Sequence, residues 1–383
     1  LNIRDAVHGS IGVSETEEAV IDTPEFQRLR FVRQLATAYL IYPSAAHSRF
    51  EHSVGAMHLT GQVASRLDLE DEEVALLRLA ALLHDVGHSA FSHLGDDVLT
   101  EHGLPPHEER GIELIQKGPI GDLIDEAGFS LQELESRMKG RGAGALITEN
   151  LGTDRVDYLL RDAHHTGVGY SLVDRDRLLE SIVLRDGRVL VHEKGFMTAE
   201  SLLVSRYFMF GVVYQHPVSR ITQKMLHLAL DQALERKELS LDELARGTDL
   251  ETLARLRDAK VELAARLLER RLFKKALVLR LHDATPGARE FLRRKDCEKK
   301  LAEHLRARGV PEGSFVVCAP PSQKSVREVE VLMKDGRVVP LEELSHILKA
   351  LEQESLRKTL VVASDAPLVT KASHAAREYL ESL

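Results

Sequence analysis

His84 and Asp85 stand side by side at the end of an apolar run made of Val74, Leu76, Leu77, Leu79, Ala80, Ala81, Leu82 and Leu83. A neutral imidazole nitrogen and a carboxylate oxygen are ordinary ligands of a divalent ion, and both are costly to bury unpaired. Consecutive helical residues point about 100° apart, so the pair suits one ion best where a helix ends. Gly87 marks such an ending. A capped core helix whose His and Asp merely adjoin would show the same pattern. Upstream, His47-Ser48-Arg49-Phe50-Glu51-His52 places Arg49 and His52 three apart on one face, a cation beside a metal-type ligand, as a phosphate held against a metal requires. A surface helix start fits too. Downstream, His88 and His93 flank Phe91, and His107-Glu108 follows Pro105-Pro106. A His beside a carboxylate is oriented and kept protonated, which suits a general acid. A Pro-initiated helix with acidic residues at its positive end reads the same way. Asp154, Tyr158 and Asp162 recur every fourth residue beside Val156, Leu159 and Leu160, the pattern of a helix lining a polar cavity or of any amphipathic surface helix.

The elements that position these residues belong to a chain of 383 residues, 43% hydrophobic and 29% charged, long enough for a sizeable core and more than one domain. The formal net charge of −9 argues against broad nucleic-acid binding but leaves room for a small polyanion met by a local cluster. Eighteen histidines, many between His47 and His107 or at His164-His165, tilt the reading toward metal or proton-transfer chemistry. Two cysteines, Cys297 and Cys318, make no disulfide framework, so a cytoplasmic location is expected. No apolar run approaches the ~18–20 residues of a membrane span, and no signal peptide is visible. Leu1 at the start suggests a trimmed beginning.

Asn2 to Val20 reads as an extended entry. Asp22-Thr23-Pro24 starts a helix carrying Phe26, Leu29 and Arg33 on one side and Gln27, Arg30 and Gln34 on another. The Arg49 segment leads into an apolar helix to about Leu67, and Thr153 is a candidate cap for the Asp154 helix. Ser181 to Gly195 reads as a β-hairpin turning at Asp186-Gly187. A helix from about Thr198 carries Arg206 toward Tyr214, and amphipathic helices fill 219–270. From about 273, strands (Ala276–Leu281, Phe315–Ala319, Val329–Met333, Leu360–Val362) alternate with helices around Lys299–Arg308 and Leu341–Glu354. The expected fold is mainly α: a helical core with a small β-hairpin and a C-terminal α+β region. Its expected parts are a catalytic core at 1–217, a helical extension at 218–272 and an α+β subdomain at 273–383.

His52, His84-Asp85 and Asp154, in that order on separate helices, resemble the HD superfamily of metal-dependent phosphohydrolases. The stretches Asp22–Arg30, His47–Gly55, His84–His88, Asp154–Asp162 and Tyr214-Gln215-His216 resemble the deoxynucleoside triphosphate triphosphohydrolases, in the branch holding the mammalian sterile-alpha-motif/HD-domain enzyme and its bacterial relatives. The resemblance runs from near residue 2 to the end. It implies that His52, His84, Asp85 and Asp154 bind a divalent metal, one of Mn, Mg, Fe, Zn, Ni or Co. It implies cleavage of a deoxynucleoside triphosphate at the α-phosphorus, giving a deoxynucleoside and inorganic triphosphate. His107, oriented by Glu108, matches the position that passes a proton to the leaving 5′-oxygen, and His88 and His93 match histidines at the phosphates or the water. Arg49 and Arg206 match phosphate-binding arginines. Gln34 and Asp162 match residues holding the sugar 3′-hydroxyl, Tyr158 matches one that packs on the sugar, and Tyr214 matches one near the sugar and base. Arg155 stands where the mammalian-type enzyme has Lys, and Phe210 replaces a histidine. Asp22, Gln27 and Arg30 match an allosteric nucleotide site between subunits, with Arg4 in place of Asn. A homo-oligomer, dimer or tetramer, is implied, with no membrane partner.

Two rival readings remain at this stage. One is an HD phosphohydrolase acting on a monophosphate, a cyclic dinucleotide or an alarmone. The cyclic-dinucleotide class carries a Gly-Tyr-Pro signature, whereas Ser89-Ala90-Phe91 follows Gly87-His88 here. The other is a nucleotide-sensing protein with a vestigial site, against which the intact ligand set argues.

Overall fold

The computed structural model describes residues 1–170, 173–321, 329–353 and 358–383. Helices dominate, as expected. The strands are, in chain order, β1 (Asn2–Asp5), β2 (Gly9–Gly12), β3 (Ile182–Arg185), β4 (Arg188–His192), β5 (Lys274–Arg280), β6 (Phe315–Cys318), β7 (Glu330–Leu332), β8 (Val338–Pro340) and β9 (Thr359–Ser364). The described residues of Leu1–Met209, Ser240–Thr252 and Val326–Lys349 form one compact unit, and those of Phe210–Leu239, Leu253–Ser325 and Ala350–Leu383 a second. The texture of the sequence suggests three consecutive segments instead. The chain leaves and re-enters each unit, which no change of composition at 217 or 272 records.

In the first unit, β1 and β2 pair antiparallel, with Asn2 opposite Gly12. The extended entry stops there. Ser14 and Glu17 form a reciprocal capping box that starts the Glu15–Ile21 helix, a Ser-x-x-Glu signal that outweighs the β-branched residues around it. Thr23 caps the Pro24–Gln27 helix as expected, but the chain then tightens into a 3₁₀ turn over Arg28–Phe31, so the longer two-sided helix does not form.

The core of this unit is the Arg49–Arg66 helix, which starts at a second capping box, Ser48 with Glu51, and buries Phe50, Val54, Met57 and Leu59. It packs against the Asp71–Leu83 and Thr153–Thr166 helices. Leu77, Leu79, Leu82 and Leu83 on the former, and Val156 and Leu159 on the latter, are within 1% of fully buried. Gly152 rather than Thr153 caps the third helix. The Thr153 hydroxyl instead lies 2.6 Å from that of Thr60, tying two helices together.

The Asp71–Leu83 helix ends before Gly87, with His84 as its C-cap. Gly87 has a different task. A Cβ there would stand 2.1 Å from the His107 carbonyl oxygen and 2.3 Å from the Gly111 nitrogen. Only a glycine lets the His107–Lys117 helix lie this close to the His84–His88 turn.

Two residues from elsewhere hold that turn and its continuation. Arg28 donates to the carbonyls of Val86 (3.0 Å), His88 (2.7 Å) and Gly247 (3.0 Å). Phe91 and Ser92 are consecutive non-glycine residues at φ 64° and 56°, a conformation costing about 1–3 kcal/mol each. The buried Asp249 carboxylate accepts from the Phe91 amide at 2.7 Å and the Arg33 amide at 3.1 Å. Ser92 Oγ donates to the Arg33 carbonyl at 2.7 Å and accepts from Arg49 Nε at 2.8 Å. The strained pair is fixed from both sides, and His93 follows it.

β3 and β4 form the expected hairpin, with Asp186 and Gly187 both at positive φ in its turn. It does not stand alone: the sheet runs β3-β4-β7-β8, with β7 parallel to β4. The Val329–Met333 strand therefore belongs to the first unit rather than to a C-terminal subdomain. The expected Leu341–Glu354 helix is split at Ser345 into Leu341–Leu344 and His346–Gln353, and Glu354 lies outside the described residues. The second unit holds the antiparallel sheet β5-β9-β6. Leu277, Val317, Leu360 and Val362 from its strands pack with Leu301, Leu305 and Ala376 from helices. Cys297 and Cys318 are free and buried. One helical stretch, Glu193–Tyr214, does reach the length and apolarity of a membrane span, which Glu200 and Arg206 obscure in the sequence. Ala199, Leu202 and Met209 on it are buried in the fold.

Two predictions follow from these supports. Gly87→Ala must displace the His107–Lys117 helix, lowering stability by about 1–3 kcal/mol and activity by much more; thermal melting and turnover measure both, and parent-like values would show the approach is slack. Burial pushes the Asp249 carboxyl up to about 6, against the lowering by the Phe91 and Arg33 amides. Folding therefore favours its protonated form, and its contribution to stability falls as pH rises from about 4 to about 6, by up to about 3 kcal/mol. The unfolding free energy of the parent relative to Asp249→Asn should decline across that window. A flat difference would contradict it.

Candidate metal and phosphate site

Three histidine rings are each anchored by one nitrogen. His52 Nδ1 lies 2.7 Å from Asp157 Oδ2, His84 Nδ1 2.7 Å from the Ala81 carbonyl oxygen, and His88 Nδ1 2.5 Å from Asp96 Oδ2. A carbonyl or ionised carboxylate only accepts, so each Nδ1 carries a hydrogen, and Nε2 is the atom left to offer a lone pair to a cation. All three Nε2 atoms are buried without a hydrogen-bond partner.

They converge on two carboxylates. Asp154 Oδ1 is 3.1 Å from His52 Nε2 and 3.6 Å from His84 Nε2. Asp85 Oδ1 is 3.3 Å from both His84 Nε2 and His88 Nε2, and Asp85 Oδ2 is 3.5 Å from His52 Nε2. Neighbouring ligands of an octahedral ion bound at about 2.1 Å stand about 3 Å apart. Unpartnered Nε2 atoms facing carboxylates at this spacing fit a divalent cation, and the cluster is able to bind one. The electrostatics agree. Burial disfavours charge on His52, yet Asp154, Asp157 and Asp85 raise its pKa to about 10, and a divalent cation would replace that proton. Against the opposing effect of burial, Arg49 and the histidines hold Asp85 well below the usual carboxylate range, and His52 and His84 hold Asp154 below it too.

A second histidine group adjoins the first. His88, His93, Asp96 and His107 bring potential ligand atoms within 4.8 Å of one another. His107 stacks on His88 with ring centres 3.7 Å apart. Its Nδ1 is 3.4 Å from both Asp96 Oδ2 and Glu108 Oε2, and Glu108 is largely exposed. Glu108 therefore does not hold His107 protonated, as the sequence suggests: burial, then the neighbouring His88, lowers His107 to about 3. Burial, Arg49 and His88 likewise hold His93 well below its ordinary value. Dianionic phosphate beside these rings would favour their protonated forms.

The remaining residues fall into three groups. Arg49 is committed to Asp85, with NH1 at 2.6 Å from Oδ2. Gln34, His47 and Asp162 are neighbours: the Gln34 backbone N–H donates to the His47 backbone carbonyl at 3.0 Å, and His47 Nε2 meets Asp162 Oδ1 at 2.8 Å. Gln34 Oε1 is buried without a partner. Tyr158 stands edge-on to His52 with ring centres 6.5 Å apart. Burial raises its pKa while Arg155 and Arg206 lower it, which puts both guanidinium groups within electrostatic reach of the Tyr158 ring. Arg155 also bonds Asn150. Tyr214 belongs to the second unit, where its ring is edge-on to Phe210 at 5.1 Å. On the first unit's surface Arg30 Nε donates to Gln27 Oε1 at 2.7 Å and covers the Phe50 ring, while exposed Asp22 follows Ile21, whose carbonyl accepts from Gln27.

Asp157, Asp96, Arg28 and Asp249 were not singled out from the sequence. Asp157 and Asp96 were legible in part, one three residues after Asp154 and the other three after His93, and a metal-type histidine calls for such an acceptor. Nothing local points to Arg28 or Asp249.

Comparison with known proteins agrees with this geometry. The HD domain family model matches residues 49–162, and the HD associated region model matches 173–382. An uncharacterised protein of Methanocaldococcus jannaschii is 33% identical over 363 residues, covering 93% of this chain and 77% of that one. The deoxynucleoside triphosphate triphosphohydrolase SAMHD1 homolog of Dictyostelium discoideum is 30% identical over 257 residues, and human SAMHD1 27% over 272. Those alignments span 49% and 43% of the two relatives. A crystal structure of a hypothetical protein from Aquifex aeolicus superposes with TM-score 0.81 at 30% identity, covering 98% of this chain and 99% of that one. A phosphohydrolase from Bacteroides thetaiotaomicron, 22% identical, shares the fold with TM-score 0.77, covering 95% of this chain and 100% of that one. With the motif, the His/Asp cluster and these matches in agreement, the chain belongs to the HD-domain family of metal-dependent phosphohydrolases.

Proposed function

We propose that the protein hydrolyses deoxynucleoside triphosphates to deoxynucleoside and inorganic triphosphate. The observation that carries this reading is the convergence of three unpartnered Nε2 atoms on Asp85 and Asp154, beside a helix face bearing Tyr158, Asp162 and Arg155. The names of the animal and amoebal relatives point the same way. His52, His84, Asp85 and Asp154 would hold the cation. When bound, it supplies Lewis acidity at a phosphate oxygen and a more acidic water.

The chain's own residues do the rest. Arg206 and Arg155 meet the phosphate oxygens, and Arg49 keeps Asp85 ionised and in place. Gln34 and Asp162, both neighbours of His47, receive the sugar 3′-hydroxyl, and Tyr158 packs on the ring. His88 and His93 line the phosphates. Water adds to the α-phosphorus while its bond to the 5′-oxygen breaks, and His107 passes a proton to that oxygen. Burial and His88 favour the neutral His107 ring, so that proton is taken up beside the phosphate charge. Asp22, Gln27 and Arg30 suit an activating nucleotide at a contact between subunits of a dimer or tetramer.

Incubation with a panel of deoxynucleoside triphosphates tests this. Inorganic triphosphate should appear in one-to-one ratio with deoxynucleoside, stop on chelation and return with added metal. No triphosphate from any of them would contradict the reading, and free phosphate from a monophosphate would favour another HD hydrolase. Asp85→Ala should lose both metal and turnover. His107→Ala should keep the metal and slow turnover by about 10²–10⁴-fold; metal loss there would make His107 a ligand.

A further inference from the structure

The N-terminal hairpin reaches the His/Asp cluster from outside. His8, between β1 and β2, has a side chain with no solvent exposure, and its Nε2 lies 2.6 Å from Asp157 Oδ1. Asp5 shapes the turn: Oδ1 accepts from the amides of Val7 (2.9 Å) and His8 (2.8 Å). Asp5 Oδ2 accepts from Arg161 at 2.7 Å, and Arg161 donates twice more to Asp157, both at 2.9 Å. With His52 Nδ1 on Oδ2, the Asp157 carboxylate has two donors on each oxygen.

The direction of the His8 bond is also set. Arg175 can only donate, and its NH1 is 3.1 Å from His8 Nδ1. His8 Nδ1 is therefore the acceptor, and Nε2–H points at Asp157. The space is reserved as well: a Cβ on Gly55 would stand 2.0 Å from Asp157 Oδ1 and 2.4 Å from Arg161. A chain of fixed polarity thus runs from Arg175 through His8 and Asp157 to His52, and its far end is an Nε2 without a protein partner.

We propose that His8 is a positioning residue of the metal centre: by donating to Asp157 it holds the carboxylate that orients His52, and so sets how tightly the cluster grips its ion. This rests on the metal assignment made under the proposed function. The outer partner of a ligating histidine typically changes metal affinity by about 10–100-fold.

The test is competition of the metal-loaded full chain against a chelator, with melting of the metal-free forms beside it. His8→Phe fills the space without a donor and should lose about 10–100-fold in affinity while the metal-free protein melts near the parent. His8→Gln, which still offers an N–H, should recover most of that affinity. Arg175→Met, which frees the His8 tautomer, should fall between. Parent affinity in His8→Phe, alongside metal loss in Asp85→Ala, overturns the inference alone. Equal losses in His8→Phe and His8→Gln with a lower metal-free melting point also overturn it, leaving His8 a structural bolt. Metal retained by Asp85→Ala overturns the assignment and the inference with it.

Discussion

Placing the buried Asp85 and the half-buried Asp154 carboxylates among imidazoles is tolerable only if every donor and acceptor has a counterpart, and the structure meets that demand unevenly. On the outer side, each histidine nitrogen is matched to a carbonyl or a carboxylate. On the inner side, the Nε2 atoms of His52, His84 and His88 and the oxygens of Asp85 and Asp154 face one another with no hydrogen-bond partner for any of the three nitrogens. Acceptors gathered in this way repel unless something positive stands between them. The rest of the first unit follows from that imbalance. Arg49 neutralises one face of Asp85, and Arg161 and Arg110 back Asp157 and Asp96.

Such a centre needs its loops held as firmly as its helices. The His84–His88 turn is pressed between Arg28 and the His107–Lys117 helix, and the left-handed Phe91-Ser92 pair is clamped by Asp249 and the Arg33 backbone. Both clamps use the Ser240–Thr252 stretch, which lies far along the chain yet belongs to the first unit. The HD associated region therefore contributes to holding the loops of the site, through the Gly247 carbonyl that accepts from Arg28 and the Asp249 carboxylate that accepts from the Phe91 amide.

Much of this was legible in the sequence because it is local. Capping residues, Pro at helix starts, the Asp186-Gly187 turn and the fourfold spacing of Asp154, Tyr158 and Asp162 each act within a few residues. The His-Asp pair announces itself through its cost of burial. What was not legible depends on tertiary approach. Gly87 looks like a helix terminator, and only the closeness of the His107 carbonyl shows otherwise. Val329–Met333 reads as part of a C-terminal sheet, and its parallel pairing with β4 depends on a return of the chain that periodicity does not encode. Asp249 falls within the amphipathic helices of 219–270, and nothing in that pattern sets it apart. The surroundings of His107 depend on tertiary approach too: its sequence neighbour Glu108 is largely exposed, while stacked His88 and burial surround the ring.

The central claim is that one cation sits among the Nε2 atoms of His52 and His84 and the carboxylates of Asp85 and Asp154. Anomalous diffraction at the absorption edge of the metal that copurifies, or of Mn soaked into crystals, tests it most directly. The account predicts a single strong peak about 2.1 Å from each of the two Nε2 atoms and within bonding distance of both carboxylates. A peak bonded instead to the Nδ1 side of His52, or none at this cluster in active crystals, would contradict it.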